Sequence, residues 1–404
     1  MAVFQPTTAA EVLDAVRWAA AEEQPLEILG HGSKRDIGRP AQTEHALDLS
    51  RLTGVTLYEP EELVLSARAG TPLAEIETLL AERGQELAFE PMDYARLHAK
   101  PSGQGDKSGT IGGVLATNLC GPRRLKAGAA RDHILGVYCV SGRGEAFKSG
   151  GRVVKNVTGY DLSKAMAGSW GTLAVVTDLT FKVLPRAETE TTVALRRLDD
   201  EKAAAAMAAA LGSSAEVSAA AHLPELVAGR VENGLLGSDP ATLLRVEGFG
   251  PSVAYRVAML SDLFGGHIET FDADRSRALW ADVRDVAPFA DGTNRPVWRI
   301  SMAPSQGWKL VAALRMQTAV DAFYDWQGGL VWLRMEGDPE AETVRSLIGR
   351  GGGGHATLVR APVSARAAVS VFQPQPGALG GLSARVKSEF DPKGILNPGR
   401  MATA

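Results

Sequence analysis

Four short stretches in the first 172 residues set glycine beside hydroxyl or cationic side chains. They are Gly30-His31-Gly32-Ser33-Lys34, Ala69-Gly70-Thr71-Pro72, Ser108-Gly109-Thr110-Ile111-Gly112-Gly113 with Ala116-Thr117-Asn118, and Gly168-Ser169-Trp170-Gly171-Thr172. Glycine lets backbone N–H groups approach phosphate oxygens, and successive N–H groups form anion-binding nests. Ser33, Ser108 and Thr117 can add hydroxyl hydrogen bonds. A single loop of this kind reads most simply as a turn. Four of them, each beside a strand-like run, point to a diphosphate ligand.

Other chemistry is excluded. There is no Gly-Lys pair for a Walker A loop, no His-Glu for HExxH and no Gly-x-Ser-x-Gly elbow. The formal GxGxxG at Gly349 to Gly354 follows a helical stretch, not the strand that a dinucleotide fingerprint needs, and reads as a loop. Cys120 and Cys139 are the two cysteines; no CxxC is present for zinc or an iron–sulfur cluster. His355 stands in Gly-His-Ala-Thr without a second histidine nearby, so no metal site is expected. Trp298-Arg299 and Trp332-x-Arg334 could bind a carboxylate through Arg299 and Arg334, since guanidinium is suited to bidentate carboxylate recognition. The competing reading is a pair of strands with tryptophan in the core and arginine outside; Arg284 is weighed in the same way.

The elements that must position these residues follow from pattern. Thr8 to Glu22 reads as a helix capped by Thr7 or Thr8, and Leu26 to Leu29 as a strand entering the first loop. Leu63 to Ala69, Ile134 to Ser141 and Leu173 to Leu184 read as strands, and Leu73 to Arg83 as a helix. Composition shifts near residue 186. From there helices and strands alternate, which suggests an α/β or α+β unit, with no repeat beyond the fragments Val297-Trp298-Arg299 and Val331-Trp332-Leu333.

The 404 residues imply two or three domains. With 43 Lys+Arg against 47 Asp+Glu the net charge is −4, which argues against a globally basic nucleic-acid binder. The longest apolar run, Ala203 to Leu211, is far short of the ~20 residues of a membrane span. The N-terminus lacks the pattern of a signal peptide, and two free thiols suit a reducing cytosol.

Together the four loops and the closing Asp391-Pro392-Lys393-Gly394-Ile395-Leu396-Asn397-Pro398-Gly399 resemble the vanillyl-alcohol-oxidase, or PCMH-type, family of FAD-binding proteins. Pro296 to Ser301, Asp325 to Gly329, Gly354 to Ala361 and Asn397 to Met401 further resemble the E-subunit family of bacterial glycolate oxidase (glycolate dehydrogenase). The resemblance implies an α+β fold: a PCMH-type FAD-binding domain of two α/β subdomains over 1–185, an α/β cap domain over 186–365, and a C-terminal segment, 366–404, returning to the flavin. It implies that Gly30, His31, Gly32, Ser33 and Lys34 form the first pyrophosphate loop. Gly70 belongs to the same set; Gly109, Gly112, Gly113, Thr117 and Asn118 would hold the second diphosphate segment and the ribityl chain. Asp132 and Ile134 would pass near the flavin, Gly171, Thr172 and Val176 would line the adenine side, and Asn397 would reach the isoalloxazine edge.

Some family members attach FAD through a histidine after two glycines of the first loop. Ser33 fills that slot here, so non-covalent FAD is expected. The resemblance also implies oxidation of a small 2-hydroxy acid, glycolate or D-lactate. A second FAD subunit and an iron–sulfur subunit would be partners, in the cytoplasm or at the inner face of the cell membrane through those partners. The catalytic D subunit carries His-x-Gly-Asp-Gly-Asn-x-His, and this chain does not. A self-sufficient FAD-dependent 2-hydroxyacid dehydrogenase, a scaffold with a structural flavin and an NADPH-fed reductase therefore stay open as alternatives.

Overall fold

The computed structural model describes residues 2–98, 108–153 and 159–401. The start of the small-residue stretch, 101–107, lies outside them.

The chain opens with the helix Ala9–Ala21. Thr8 caps it by accepting the Glu11 N–H, while the Glu11 carboxylate returns to the Thr7 N–H at 2.7 Å, a reciprocal cap. Val12, Ala15, Val16 and Ala19 bury its inner face. The strands Ala2–Phe4 and Leu26–Leu29 pair in parallel with His45–Asp48 between them. A second sheet is antiparallel, in the order Val55–Glu59, Val64–Arg68, Ala174–Lys182, Ile134–Ser141, Ala146–Gly150.

After Lys182 the chain builds one eight-stranded antiparallel sheet. It consists of two copies of the same β-α-β-β-α-β unit. The first runs Thr189–Arg196, Asp200–Leu211, Ala219–Leu223, Ala241–Gly248, Gly250–Leu263, Glu269–Phe271. The second runs Val297–Met302, Pro304–Arg315, Val320–Asp325, Leu330–Met335, Ala341–Arg350, Gly354–Arg360. In each copy the first strand sits between the third and the fourth, the split-βαβ arrangement. The copies meet edge to edge through the pair His222 and Tyr324. The sequence suggests no such repeat: what the copies share is which positions face inward, not which residues fill them.

The second copy has two buried faces. Trp298, Ile300, Leu333 and Leu358 pack beneath its own helices. Val297, Phe323, Leu330, Trp332 and Val359 instead join Phe89, Ile111 and Leu119 of the N-terminal part in one core. Residues of the sheet's first face alternate with these, so Arg299, whose neighbours along the strand point to the helices, faces the N-terminal part.

The tail forms the helix Gly377–Phe390, which the sequence pattern does not suggest; three glycines interrupt it and none of its residues is buried. The segment after it returns to the first sheet, where Leu396 bridges in parallel to Leu26.

Candidate active site

The strand Leu26–Leu29 delivers Gly30 to Lys34 against residues 108–113. The two loops press closely together at Gly30 and Gly109. A Cβ on Gly30 would meet Thr110 Oγ1 at 2.6 Å, and one on Gly109 would meet Lys34 Nζ at 3.0 Å. His31 Nδ1 lies 2.8 Å from the Ser108 carbonyl, tying loop to loop. Between them opens a cleft lined by Gly30 to Lys34, Gly113, Thr117, Trp170 and Arg400.

The cleft is cationic. Lys34 is buried, and its ammonium donates to Ser33 Oγ at 3.1 Å. Burial lowers its pKa to about 8; Asp93 opposes this and Arg400 adds to it. Arg400 is likewise lowered to about 10 by burial. Its NH2 donates to the Lys34 carbonyl at 2.7 Å, and its guanidinium lies 5.5 Å from the Trp170 ring centroid. Among the described residues Lys34 and Arg400 have no carboxylate in salt-bridge range, whereas Arg35 pairs with Glu27 and Arg366 with Asp36.

The other residues expected at the cofactor spread around this cleft. Gly113 and Thr117 line it, with Thr117 Oγ1 donating to the Gly113 carbonyl at 2.7 Å. Gly70 and Gly112 sit behind it, where a Cβ would meet Leu49 O at 1.9 Å and Ala69 O at 2.8 Å; both allow tight backbone packing. Asn118, at φ +50°, ends the helix Ile111–Thr117 and accepts the Arg131 N–H. Asp132 accepts the Ala129 N–H at 2.8 Å and pairs with Arg124, so its carboxylate serves its own turn. Ile134 is buried at the start of its strand and Val176 is half-buried in the neighbouring one. Thr172 Oγ1 donates to the Ser169 carbonyl. Gly171, at φ +67°, leaves room for Asn397, whose amide would lie 2.8 Å from a Cβ there. Asn397 itself is a clip: Oδ1 accepts the Ile28 N–H and Nδ2 donates to the Trp170 carbonyl, both at 2.8 Å.

The two candidate arginines differ sharply. Arg334 pairs with Asp291 at 2.5 Å and with Asp321, and both NH groups are consumed. Arg284 is paired with Asp285. Arg299 has no carboxylate in salt-bridge range among the described residues. Its guanidinium lies 5.0 Å from the Trp326 ring centroid and 3.8 Å from Cys120 Sγ. Trp298 and Trp332 are core residues, as the competing reading has it; Trp298 Nε1 donates to the Pro339 carbonyl. Beside Arg299 the sheet places Thr357 opposite it and His355 opposite Ser301. Opposed side chains of adjacent strands share a face, so these four form one polar pad toward the N-terminal part. Phe372 packs edge-on to Trp170, and Gln373 accepts the Ala356 N–H, joining the cleft wall to the pad.

Sequence reasoning missed Trp170 as a cleft wall, Arg400 and Trp326. Each stands inside a stretch that the family resemblance already marks, but nothing in those stretches distinguishes a wall from a turn.

The FAD binding domain family model matches residues 1–150. The glycolate oxidase subunit GlcE of Escherichia coli K12 is 34% identical over 397 residues, 96% of either chain. The chain belongs to the GlcE family of glycolate oxidase subunits. The glycolate oxidase subunit GlcD of Bacillus subtilis 168 is 30% identical over 192 residues, 48% of this chain and 38% of that one. Among solved structures, p-cresol methylhydroxylase with substrate bound superposes with a TM-score of 0.72 at 14% identity, over 99% of this chain and 88% of that one. This likeness shows the PCMH-type α+β fold. The GlcE-family chain is thus an FAD-binding oxidoreductase. The cleft suits the cofactor's diphosphate on its own chemistry: a glycine-lined cradle, where a Cβ on Gly30 would already meet Thr110, and two cations, Lys34 buried and Arg400 partly buried, with no carboxylate in salt-bridge range among the described residues. Among the described residues no cluster of three His, Cys, Asp or Glu side chains could hold a metal, and no helix is long and apolar enough to cross a membrane.

Proposed function

We propose that this chain is the FAD subunit of a glycolate-oxidising complex and contributes a 2-hydroxy-acid site of its own. The single observation that carries the proposal is Arg299: a guanidinium with no carboxylate in salt-bridge range among the described residues, its centre 5.0 Å from the Trp326 ring centroid, on the sheet face that meets the FAD-binding part. A planar cation kept without a counter-charge is suited to a bidentate bond with a substrate carboxylate. Gly30 to Lys34, Gly109, Gly113 and Thr117 would hold the diphosphate, with the neighbouring loops shaping the site around the rest of the cofactor.

When bound, FAD supplies two-electron oxidation of the α-carbon, which turns glycolate into glyoxylate or D-lactate into pyruvate. The protein's part is orientation. Arg299 fixes the carboxylate, Trp326 fixes Arg299, and His355 and Thr357, on the same sheet face, would serve the hydroxyl end. The electrons would then pass to an iron–sulfur partner, with a GlcD-type flavin subunit beside this one. The names of the relatives, which are subunits, support a multi-subunit complex.

The test is anaerobic spectroscopy of the purified chain. Bleaching of the flavin band by glycolate or D-lactate within seconds, slowed about 10²-fold or more by Arg299→Met at unchanged FAD content, is the expected result. Bleaching by dithionite alone would assign the flavin to electron relay and move the chemistry to the partner.

A further inference from the structure

We infer that the last turn of the described chain is a latch: Arg400 closes over the cofactor's diphosphate, and the diphosphate in turn holds Arg400 in place. The inference rests on the reading that the diphosphate lies in the Gly30–Lys34 cleft.

The tail is anchored in two stages of different character. Up to Asn397 it is held by neutral or internally balanced bonds. Lys387 donates to the Thr172 carbonyl at 2.6 Å and the Leu396 carbonyl at 3.1 Å, and pairs with Asp391. Asp391, buried, accepts the Ile395 and Leu396 N–H groups. Leu26 donates to the Ile395 carbonyl, Asn397 donates to the Leu26 carbonyl, and the Asn397 amide clips Ile28 to Trp170. None of these needs a ligand.

Arg400 is different. Its backbone accepts the Arg39 N–H and donates to the Asn397 carbonyl, its NH2 reaches the Lys34 carbonyl and its guanidinium centre lies 5.5 Å from the Trp170 ring centroid, but Nε is shielded from solvent and has no hydrogen-bond partner. Lys34, the other cleft cation, is buried, and the Arg400 charge adds to the lowering of its pKa. Around the cleft Arg35 and Arg366 are balanced by Glu27 and Asp36. Among the described residues Lys34, opposed only by the more distant Asp93, and Arg400 therefore lack a salt-bridge partner, and a diphosphate brings the negative charge to match them. Buried charge without a partner is costly, and an anion removes the cost. Binding and tail closure must then favour each other, because coupling between two binding events is reciprocal.

The test compares Arg400→Met with Lys34→Met in the full chain. Both should retain the fold by circular dichroism. Arg400→Met should weaken FAD binding, measured by flavin fluorescence, about ten- to hundredfold, and should leave the FAD-free protein's melting temperature unchanged or higher, since an uncompensated cation is gone. FAD should also protect the Arg400–Met401 bond from trypsin in the wild-type chain. If Lys34→Met weakens FAD and Arg400→Met does not, the latch is overturned while the cleft stands. If neither variant changes FAD affinity, the placement of the diphosphate fails as well. A fall in the FAD-free melting temperature of Arg400→Met would make the residue a structural brace and overturn the latch.

Discussion

Lys34 is the residue on which the cleft can be tested by pH. Its ammonium is lowered to about 8 by burial, and a bound diphosphate would raise it again. A group whose pKa rises on binding favours the complex fully below its free value and loses that advantage as pH rises above it. FAD affinity is therefore expected to be flat up to about pH 8 and to weaken above it, by as much as tenfold per pH unit for one proton. Lys34→Met should bind FAD more weakly at pH 7 and show no break near 8; fluorescence titration between pH 6.5 and 9.5 reads both. That the loop lines a cleft was legible in its residue types, and its proposed role rests on the meaning that glycine next to hydroxyl and lysine has for anions. The same reading could not separate Arg299 from Arg334. Both follow a strand tryptophan, and only the fold reveals that Asp291 and Asp321 consume one and leave the other.

At the scale of elements, strands and helices followed their patterns closely: Ile134–Ser141 falls where alternation places it, and Thr8 caps its helix. Glycine is where element and site become confused. Gly70 reads as another phosphate-loop residue, yet a Cβ there would lie 1.9 Å from the Leu49 carbonyl, so its work is to let Arg68–Thr71 cross the turn after His45–Asp48. Gly70→Ala is expected to destabilise the protein by about 1–3 kcal/mol through overpacking, with FAD affinity of the folded fraction little changed. Gly113→Ala, whose Cβ would stand 3.4 Å from Thr110 Oγ1 and 3.5 Å from Lys34 Nζ, should do the reverse. Denaturant melts and FAD titrations of the two variants separate packing from binding. The duplicated β-α-β-β-α-β unit escaped the sequence because pairing between strands distant in the chain leaves no local mark, only a rhythm of buried positions.

At the scale of the molecule, the eight-stranded sheet must be held over the FAD-binding part if the Arg299 pad is to face the cofactor. Glu90 provides the lock. Its carboxylate takes both Arg245 NH groups of the sheet, at 2.8 and 2.9 Å, and the backbone N–H of Arg123 at 3.0 Å; Arg123 reaches on to Glu247 of the sheet. Beside it Trp326 Nε1 donates to the Gly121 carbonyl, next to the Cys120 that touches Arg299. Burial alone would raise the Glu90 carboxyl, but Arg245 and Arg123 outweigh it and hold its pKa at about 2. A carboxyl with a lowered pKa gives stability that is complete above its unfolded value and is lost as pH falls toward the folded one. Glu90→Gln leaves Arg245 buried beside an amide, at a cost of about 3–5 kcal/mol near neutral pH. The gap between wild type and Glu90→Gln should hold from pH 7 to about 5 and shrink steadily toward pH 2, as the wild-type carboxylate itself takes up a proton. Because Glu90 and Arg245 belong to different parts of the molecule, the loosened variant should also lose substrate bleaching of its flavin while keeping the FAD, since neither Lys34 nor Arg400 takes part in the lock. Equal losses of FAD and of bleaching would instead mean that the two parts unfold as one, and that the lock serves stability alone.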